Sequence, residues 1–141
     1  PSVFTGMPWS GSWYIPGGKS FQAQLFKDAG AEYLWIDNDE KSSLVKSKEI
    51  IIDEAYDSDY WLNQNSYNSI TAITSFDANF ANFSAIKNKQ LFNNDKRLNG
   101  KGGNDYWESG VVNPQLVLKD LIKIFHPNLI EHELYYYRKL K

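Results

Sequence analysis

Asn104–Pro127 reads NDYWESGVVNPQLVLKDLIKIFHP, a polar and aromatic loop that runs directly into an amphipathic helix. Asn113 is a residue type that caps helices, and Pro114 suits the first helical turn, where a missing N–H costs nothing. Apolar residues then recur at spacings of three and four, which predicts one buried face ending at His126-Pro127. These positions are Val117, Leu118, Leu121, Ile122 and Phe125. The loop ahead of the helix therefore has a rigid support, which favours ligand contact there.

Outward from this helix, short apolar segments alternate with amphipathic segments of about ten residues, a pattern typical of βαβ units. The predicted strands are Ser2–Met7, Tyr33–Ile36, Asp59–Asn63 and Gln90–Phe92. The other predicted helices run from Ser20 to Gly30, over Lys48–Tyr56 with Ser47 as cap, and over Ala78–Ile86. The alternation predicts a three-layer α/β fold, in which a mostly parallel sheet has helices on both faces.

The chain length of 141 residues suits a single domain, which we expect to span residues 1–141. Residues 128–141 carry Leu134 and Tyr135-Tyr136-Tyr137 and are predicted to pack weakly as a terminal turn. The chain begins PSVFTGMP, without an initiator Met or a signal-like start, so we expect it to be a piece of a longer protein.

The composition argues against several classes of protein. A net charge of −2 and a pI near 5.7, with no Lys/Arg cluster, argue against a nucleic-acid partner. Cysteine is absent, which excludes disulfides and thiolate metal sites, and no apolar run reaches the roughly 18 residues of a membrane span. Aromatic residues make up 16% of the chain, however, and amphipathic rings that reach a surface often mark ligand contact.

Aromatic residues collect in three predicted loops that follow strands: Pro8–Gly18, Gln64–Ser69 and Asn93–Pro114. Ligands of parallel sheets meet the loops beyond the carboxyl ends of the strands, so this distribution predicts a ligand-binding rim. Its members are Trp13, Tyr14, Tyr67, Tyr106 and Trp107, with Asp105 and Glu108 as polar anchors. The alternative for each ring is that it seals its loop against the core.

Motifs of common enzymes are incomplete in this chain. Gly17–Ser20 ends like a phosphate loop, but Trp13 stands where that motif has Gly, so a tight strand-to-helix turn is the simpler interpretation. His126 and His132 fall outside the predicted rim loops, whereas metal sites need clustered His and carboxylates. We therefore expect no catalytic residue, no resident metal and no cofactor. A small hydrolase that uses the acidic pair of the rim is the enzymatic alternative.

Three stretches together resemble a known family. They are the stretch quoted first, WYIPGGKSFQAQLFKDAGAEYLW at Trp13–Trp35, and SLVKSKEIIIDEA at Ser43–Ala55. They are similar to the periplasmic substrate-binding proteins of bacterial ABC importers for iron complexes and cobalamin, whose two α/β lobes are joined by one rigid helix. The resemblance is to the C-terminal lobe and covers nearly the whole chain. It implies a non-catalytic lobe whose partner, an N-terminal lobe, belongs to the same parent chain.

The resemblance also implies a solute, a membrane partner and site residues. In that family the two lobes clamp a siderophore, haem or corrinoid, and the loaded protein docks on an ABC permease. The ligand loops correspond here to Trp13–Gly17, to Ser42–Leu44 with Ser43 at its centre, and to Asp105–Glu108. Glu49 matches an exposed glutamate that pairs with permease arginines, although a first-turn carboxylate also has an ordinary structural explanation. The implied location is the periplasm or the outer face of the cytoplasmic membrane, with a lipid anchor as one option.

A carbohydrate-binding or adhesion module that uses exposed Trp and Tyr as platforms is the alternative from another class. Such a module is predicted to be a β-sandwich. Antiparallel strands in two packed sheets would favour this module, whereas a mostly parallel sheet would favour the solute-binding lobe.

Overall fold

Residues 1–98 and 103–141 are described by the computed structural model, in which eight strands form two sheets. The strands are β1 (Ser2–Thr5), β2 (Pro8–Trp9), β3 (Ser12–Pro16), β4 (Glu32–Tyr33), β5 (Ser43–Ser47), β6 (Tyr60–Leu62), β7 (Leu91–Asn93) and β8 (Arg138–Lys139). The larger sheet has the order β4-β1-β6-β7-β8, and all its pairs are parallel except β7–β8. The smaller sheet, β2-β3-β5, is antiparallel.

Helices flank the larger sheet, so the predicted α/β fold with a mostly parallel sheet is confirmed. They are α1 (Phe21–Asp28), α2 (Lys48–Ala55), α3 (Ile70–Phe76), a 3₁₀ turn at Ala78–Asn82, α4 (Ser84–Lys87), α5 (Asp105–Glu108) and α6 (Pro114–Phe125). Within the described part of the chain, none of these helices has the length and apolar character needed to cross a bilayer.

Serine side chains cap the N-termini of three of the helices. The hydroxyl oxygens of Ser20, Ser47 and Ser69 accept the backbone N–H three residues ahead, at 3.1, 3.3 and 3.0 Å. Such a bond satisfies one of the N–H groups that a helix start leaves free. Helix α6 begins with Pro114 as predicted, and Asn113 precedes it at the cap position, but the Asn113 side chain accepts no backbone N–H of the helix. Its amide instead donates to the Ser109 carbonyl at 2.8 Å, which ties the helix start to the preceding turn.

An aromatic cluster fills the core between the two sheets. Phe4 of β1 stacks on Trp61 of β6 with ring centroids 5.0 Å apart, and Trp13 of β3 lies 5.9 Å from Trp61. Phe80 and Phe83 contact the same rings edge-on. Rings of this size bury large apolar areas, so the cluster supplies much of the stabilisation.

The segment Pro8–Gly18, predicted to be a loop, is a β-hairpin instead. Ser10 and Gly11 form its turn with φ of 50° and 80°, the left-handed backbone that tight hairpins need. Its second strand shows period-two burial, since Trp13 and Ile15 are buried while Tyr14 is exposed.

The predicted helix Ala78–Ile86 is wrong as a single element. It is divided into the 3₁₀ turn and α4, because Phe83 adopts an extended backbone with ψ of 135°. Asp77 caps the start of the 3₁₀ turn after α3, since its carboxylate accepts the Asn79 N–H at 2.9 Å. Phe80 and Phe83 of this segment are nevertheless buried in the core.

The prediction that residues 128–141 pack weakly is also wrong. Tyr136, Tyr137 and Leu140 are buried, and β8 extends the larger sheet beside β7. One buried carboxylate of α6, that of Asp120, accepts the N–H groups of residues 135, 136 and 137 at 2.7–3.1 Å. The tail is therefore fixed by a long-range polar contact that no local sequence pattern reveals.

Candidate ligand-binding groove

A groove of about 430 Å³ lies among segments that follow the carboxyl ends of the parallel strands. Its walls come from β3, the first turns of α1, the start of β5 with the residue before it, helix α5 with the turn after it, and the start of α6. The lining residues are Tyr14, Ile15, Pro16, Ser20, Phe21, Gln22, Leu25, Ser42, Ser43, Tyr106, Trp107, Gly110, Val111 and Val117. This edge of a parallel sheet is where α/β proteins generally bind ligands.

The rim of the groove is aromatic and open to solvent. Tyr14, Phe21 and Trp107 expose 58%, 63% and 62% of their surfaces, although rings of this kind are usually covered. Tyr106 lies beneath Trp107, with perpendicular rings whose centroids are 4.8 Å apart. The groove thus offers flat apolar surfaces at fixed positions, which suits stacking against a ring-bearing ligand.

Hydrogen bonds around α5 hold the Tyr106–Trp107 pair in place. The Asn104 carbonyl oxygen Oδ1 accepts the Tyr106 N–H at 3.0 Å, and its Nδ2 donates to the Asn94 backbone oxygen at 2.9 Å. Burial raises the pKa of the Tyr106 phenol, which keeps that ring neutral beneath the rim. At the end of α5, a Cβ on Gly110 would lie 2.3 Å from the Tyr106 carbonyl oxygen, so only glycine fits there.

Close backbone packing positions the opposite wall. A Cβ on Gly17 would lie 2.3 Å from the Glu40 oxygen, and one on Gly18 would lie 2.3 Å from the Asn38 oxygen. The glycine pair therefore lets the strand-to-helix turn before α1 approach residues 35–40 closely. Ser20 caps its own helix, and Lys19 forms an exposed ion pair with Asp39 at 3.3 Å.

Four of the predicted ligand residues, Tyr14, Ser43, Tyr106 and Trp107, line the groove together. The placement of Trp13 on the rim is wrong. Its ring has no exposed surface, and its indole N–H donates to the Thr5 carbonyl oxygen at 2.8 Å inside the aromatic cluster. Strand alternation explains the difference, because Tyr14 and Trp13 point to opposite faces of β3.

The other predicted rim residues lie apart from the groove lining. Tyr67 packs edge-on against Phe76, with centroids 5.3 Å apart. The Asp105 carboxylate accepts the Ser109 hydroxyl at 2.8 Å and so stabilises the turn after α5, while Glu108 points to solvent. The two acidic side chains are thus not part of the groove lining described above.

Several groove residues were missed by sequence reasoning. Phe21 and Val111 were not among the predicted rim residues, yet both are exposed and line the groove. An apolar residue at the first position of a capped helix was the available signal, since that position often faces outward over the preceding turn.

Glu49 is exposed in the first turn of α2, as the resemblance implied. Within the described residues, no group of three or more His, Asp or Glu side chains is arranged to hold a metal ion. His132 contacts Asp120, with Nε2 2.7 Å from Oδ1, and His126 packs against Gly30. The polar groups near the groove are therefore hydroxyls, amides and backbone rather than clustered acids and bases.

No family model matches this chain. An uncharacterized lipoprotein of Methanocaldococcus jannaschii is 24% identical over 130 residues, which are 90% of this chain and 30% of the lipoprotein. Among solved structures, the TroA-like periplasmic binding protein FepB from Veillonella parvula superposes on all of this chain with a TM-score of 0.67 at 13% identity. A possible iron-binding, periplasmic solute-binding protein from Staphylococcus epidermidis covers 89% of this chain with a TM-score of 0.65 at 20% identity.

An ABC transporter substrate-binding protein from Listeria monocytogenes also covers 91% of this chain, with a TM-score of 0.59 at 21% identity. This chain spans about half the length of these three structures, with shares of 49%, 45% and 48%. At these identities the likeness concerns the fold. The chain therefore has the α/β fold found in about half of a TroA-like periplasmic binding protein.

Proposed function

We propose that this chain is the C-terminal lobe of a solute-binding protein that serves an ABC importer. In this proposal the groove captures an iron complex, such as a siderophore or haem, or a cobalamin-like solute, and an N-terminal lobe of the same parent closes over it. The protein then delivers the solute to a membrane permease from the periplasm or the outer face of the cytoplasmic membrane. The lobe binds its solute and does not transform it.

The observation that carries this proposal is the open aromatic groove at the carboxyl edge of a parallel sheet. Tyr14, Phe21 and Trp107 expose flat rings around a volume of about 430 Å³, which is within the size range of small-molecule sites. The names of the structural neighbours agree with solute capture. An open groove buries only one side of a ligand, so tight binding requires the second lobe.

The competing functions lack this support. A β-sandwich adhesion module is contradicted by the parallel strands of the larger sheet. A hydrolase built on Asp105 and Glu108 would require both carboxylates in one pocket, and neither lines the groove.

The experiment that tests solute binding is a titration of the full-length protein with four probes: ferrichrome, ferric citrate, haem and cyanocobalamin. Tryptophan fluorescence and calorimetry report the affinity. We expect Trp107→Ala to raise the dissociation constant of whichever probe binds about tenfold, because the substitution removes a stacking surface worth roughly 1–1.5 kcal/mol.

Trp9→Ala is the matched control, because Trp9 is also a highly exposed indole, at 76%, but lies at the hairpin turn outside the groove lining. Its substitution should leave affinity unchanged. The proposal fails if no probe binds, or if the two variants weaken binding equally.

We propose further that Glu49 contacts the permease. Its carboxylate is exposed at the start of α2 and is free to meet a cationic partner across an interface. Glu49→Ala should lower solute uptake while leaving solute affinity intact. Glu131→Ala, another exposed glutamate on a different segment, should change neither. Unaltered uptake by Glu49→Ala would remove the docking role.

A further inference from the structure

A second cavity, of about 460 Å³, opens beside the groove at the carboxyl ends of β6 and β7. Asn63 follows β6 directly and Asn94 follows β7 directly, so parallel pairing brings the two amides to the same edge. Trp107 lines both the groove and this second cavity. We call the second cavity the amide pocket, after the lining residues Asn63, Asn65, Asn68, Asn94 and Asn104.

The amide pocket is polar, and the charges of its lining residues Arg138 and Asp95 offset each other. Arg138 lines it, and its Nε and Nη2 donate to the two carboxylate oxygens of Asp95 at 2.7 and 2.9 Å. Nη2 also donates to the Asn68 backbone oxygen at 3.3 Å. Among the described lining residues, Arg138 is the sole cation, and this two-point pairing leaves little positive charge for a ligand.

Two of the amides have unused hydrogen-bonding capacity. Asn63 and Asn94 are only 8% and 4% exposed. Neither Oδ1 of Asn63 nor Nδ2 of Asn94 has a hydrogen-bond partner in the part of the chain that the structure describes. Buried polar atoms are nearly always paired in folded proteins, so an unpaired acceptor and an unpaired donor on two residues that line one cavity point to a ligand that supplies the missing groups.

The pocket is also held in shape before any ligand arrives. The Asn93 side chain accepts the Gln64 N–H at 3.0 Å and donates to the Asn65 backbone oxygen at 2.8 Å. These two bonds connect the end of β7 to the turn after β6. A preformed pocket loses less conformational freedom on binding, which favours affinity.

We infer that the amide pocket binds an uncharged, hydrogen-bonding part of the solute, while the adjoining groove holds its apolar rings and Trp107 contacts both parts. This inference rests on the proposed function and narrows it. Amides donate and accept hydrogen bonds equally well, whereas an acidic group would need a free cation. The favoured solutes are therefore chelates with amide or hydroxyl arms, such as ferric hydroxamates or amide-bearing corrinoids. Chelates with free carboxylates, such as haem or ferric citrate, are disfavoured.

The test compares affinities of the full-length protein for ferrichrome and cyanocobalamin with those for haem and ferric citrate. We expect at least one of the first two to bind at least tenfold more tightly than either carboxylate chelate. Asn94→Asp keeps the side-chain shape but replaces the donor by a charged acceptor. It should raise the dissociation constant of the preferred probe about tenfold. Asn65→Gly removes an amide, and glycine tolerates the local φ of 57°. It should raise the dissociation constant of the same probe severalfold.

Phe21→Ala separates failure of this inference from failure of the proposed function, because Phe21 lines the groove and not the amide pocket. If Phe21→Ala weakens binding while both asparagine variants bind normally, the amide pocket has no role and the groove proposal stands. Tighter binding of haem or ferric citrate also overturns the inference. If none of the four probes binds, both proposals fall. Equal melting temperatures of Asn65→Gly and the unmodified protein exclude misfolding as the cause of a loss.

Discussion

Trp13 and Tyr14 are adjacent residues with opposite environments. Trp13 lies inside the aromatic cluster and donates a hydrogen bond to Thr5, whereas Tyr14 is exposed on the groove rim. We expect Trp13→Ala to lower the free energy of unfolding by about 3–5 kcal/mol, because it leaves a large cavity and an unpaired carbonyl. Tyr14→Ala should change it by less than about 1 kcal/mol.

Urea denaturation of the two variants measures this difference. If Trp13→Ala does not fold, Trp13→Phe gives a smaller loss of the same sign, since it retains an aromatic ring but not the N–H donor. Equal effects at positions 13 and 14 would contradict the assignment of Trp13 to the core.

At this scale the sequence predicted that aromatic residues line the groove better than it predicted which individual rings lie there. Tyr106 and Trp107, which the sequence predicted for the rim, both line the groove on the short helix α5 that precedes α6. Trp13 was misplaced because the segment Pro8–Gly18 was interpreted as a loop, which has no alternation of faces. Tyr67 was misplaced because its partner Phe76 lies on a helix that the sequence did not reveal.

Helix α6 carries a buried carboxylate, that of Asp120, which binds the C-terminal tail. Asp120 has no exposed surface and accepts three successive N–H groups of the C-terminal tail. We expect Asp120→Asn to lower the free energy of unfolding by about 2–4 kcal/mol, because charge-assisted bonds are lost and buried N–H groups lose acceptors. Asp53→Asn, an exposed carboxylate on α2, should change it by less than about 0.5 kcal/mol.

Amide hydrogen exchange locates the effect of Asp120→Asn. Exchange should accelerate first at Tyr135, Tyr136 and Tyr137, while the amides of β1 and β6 remain protected. Uniform acceleration across the whole domain would mean that the tail is not an independently opening unit.

Elements with strong local signals were predicted and elements that depend on distant partners were not. Helices α2 and α6 have an N-terminal Ser cap or Pro and a periodic apolar face, so local rules were sufficient. Helix α3 reads ITAITSF, which is rich in β-branched residues that favour strands. It forms because Ser69 caps it and because the Ile70 N–H donates to the Lys141 carbonyl at the end of the chain.

The whole molecule buries several tyrosine hydroxyls, and this sets its response to alkali. Burial raises the pKa of Tyr33, Tyr106 and Tyr137 above the ordinary value near 10. The unfolded chain therefore releases these protons at lower pH than the folded chain. Stability should be constant with respect to these groups below about pH 10 and should fall as pH rises further toward the raised values.

Urea midpoints measured between about pH 8 and pH 12, together with tyrosinate absorbance, check this expectation. Tyr137→Phe removes one of the buried hydroxyls, so its stability should depend less steeply on alkaline pH than that of the unmodified protein. A slope that Tyr137→Phe leaves unchanged would contradict the role of this phenol.

The overall fold was predictable because alternating strand and helix patterns specify an α/β class without any long-range information. The second, antiparallel sheet and the position of β8 were not, because both depend on pairing between segments far apart in the chain. The amide pocket was not predicted for the same reason, since Asn63 and Asn94 become neighbours only when β6 pairs with β7.

The convergence of three N–H groups on Asp120 also determines where the chain can change length during evolution. An extra residue between His132 and Tyr137 would shift the register, so that Arg138 could no longer reach Asp95 and buried tyrosines would turn outward. Pro127–Glu131 is a mostly exposed turn between these fixed points and could absorb an insertion. Homologues are therefore expected to vary in length before His132 and to keep a constant spacing after it.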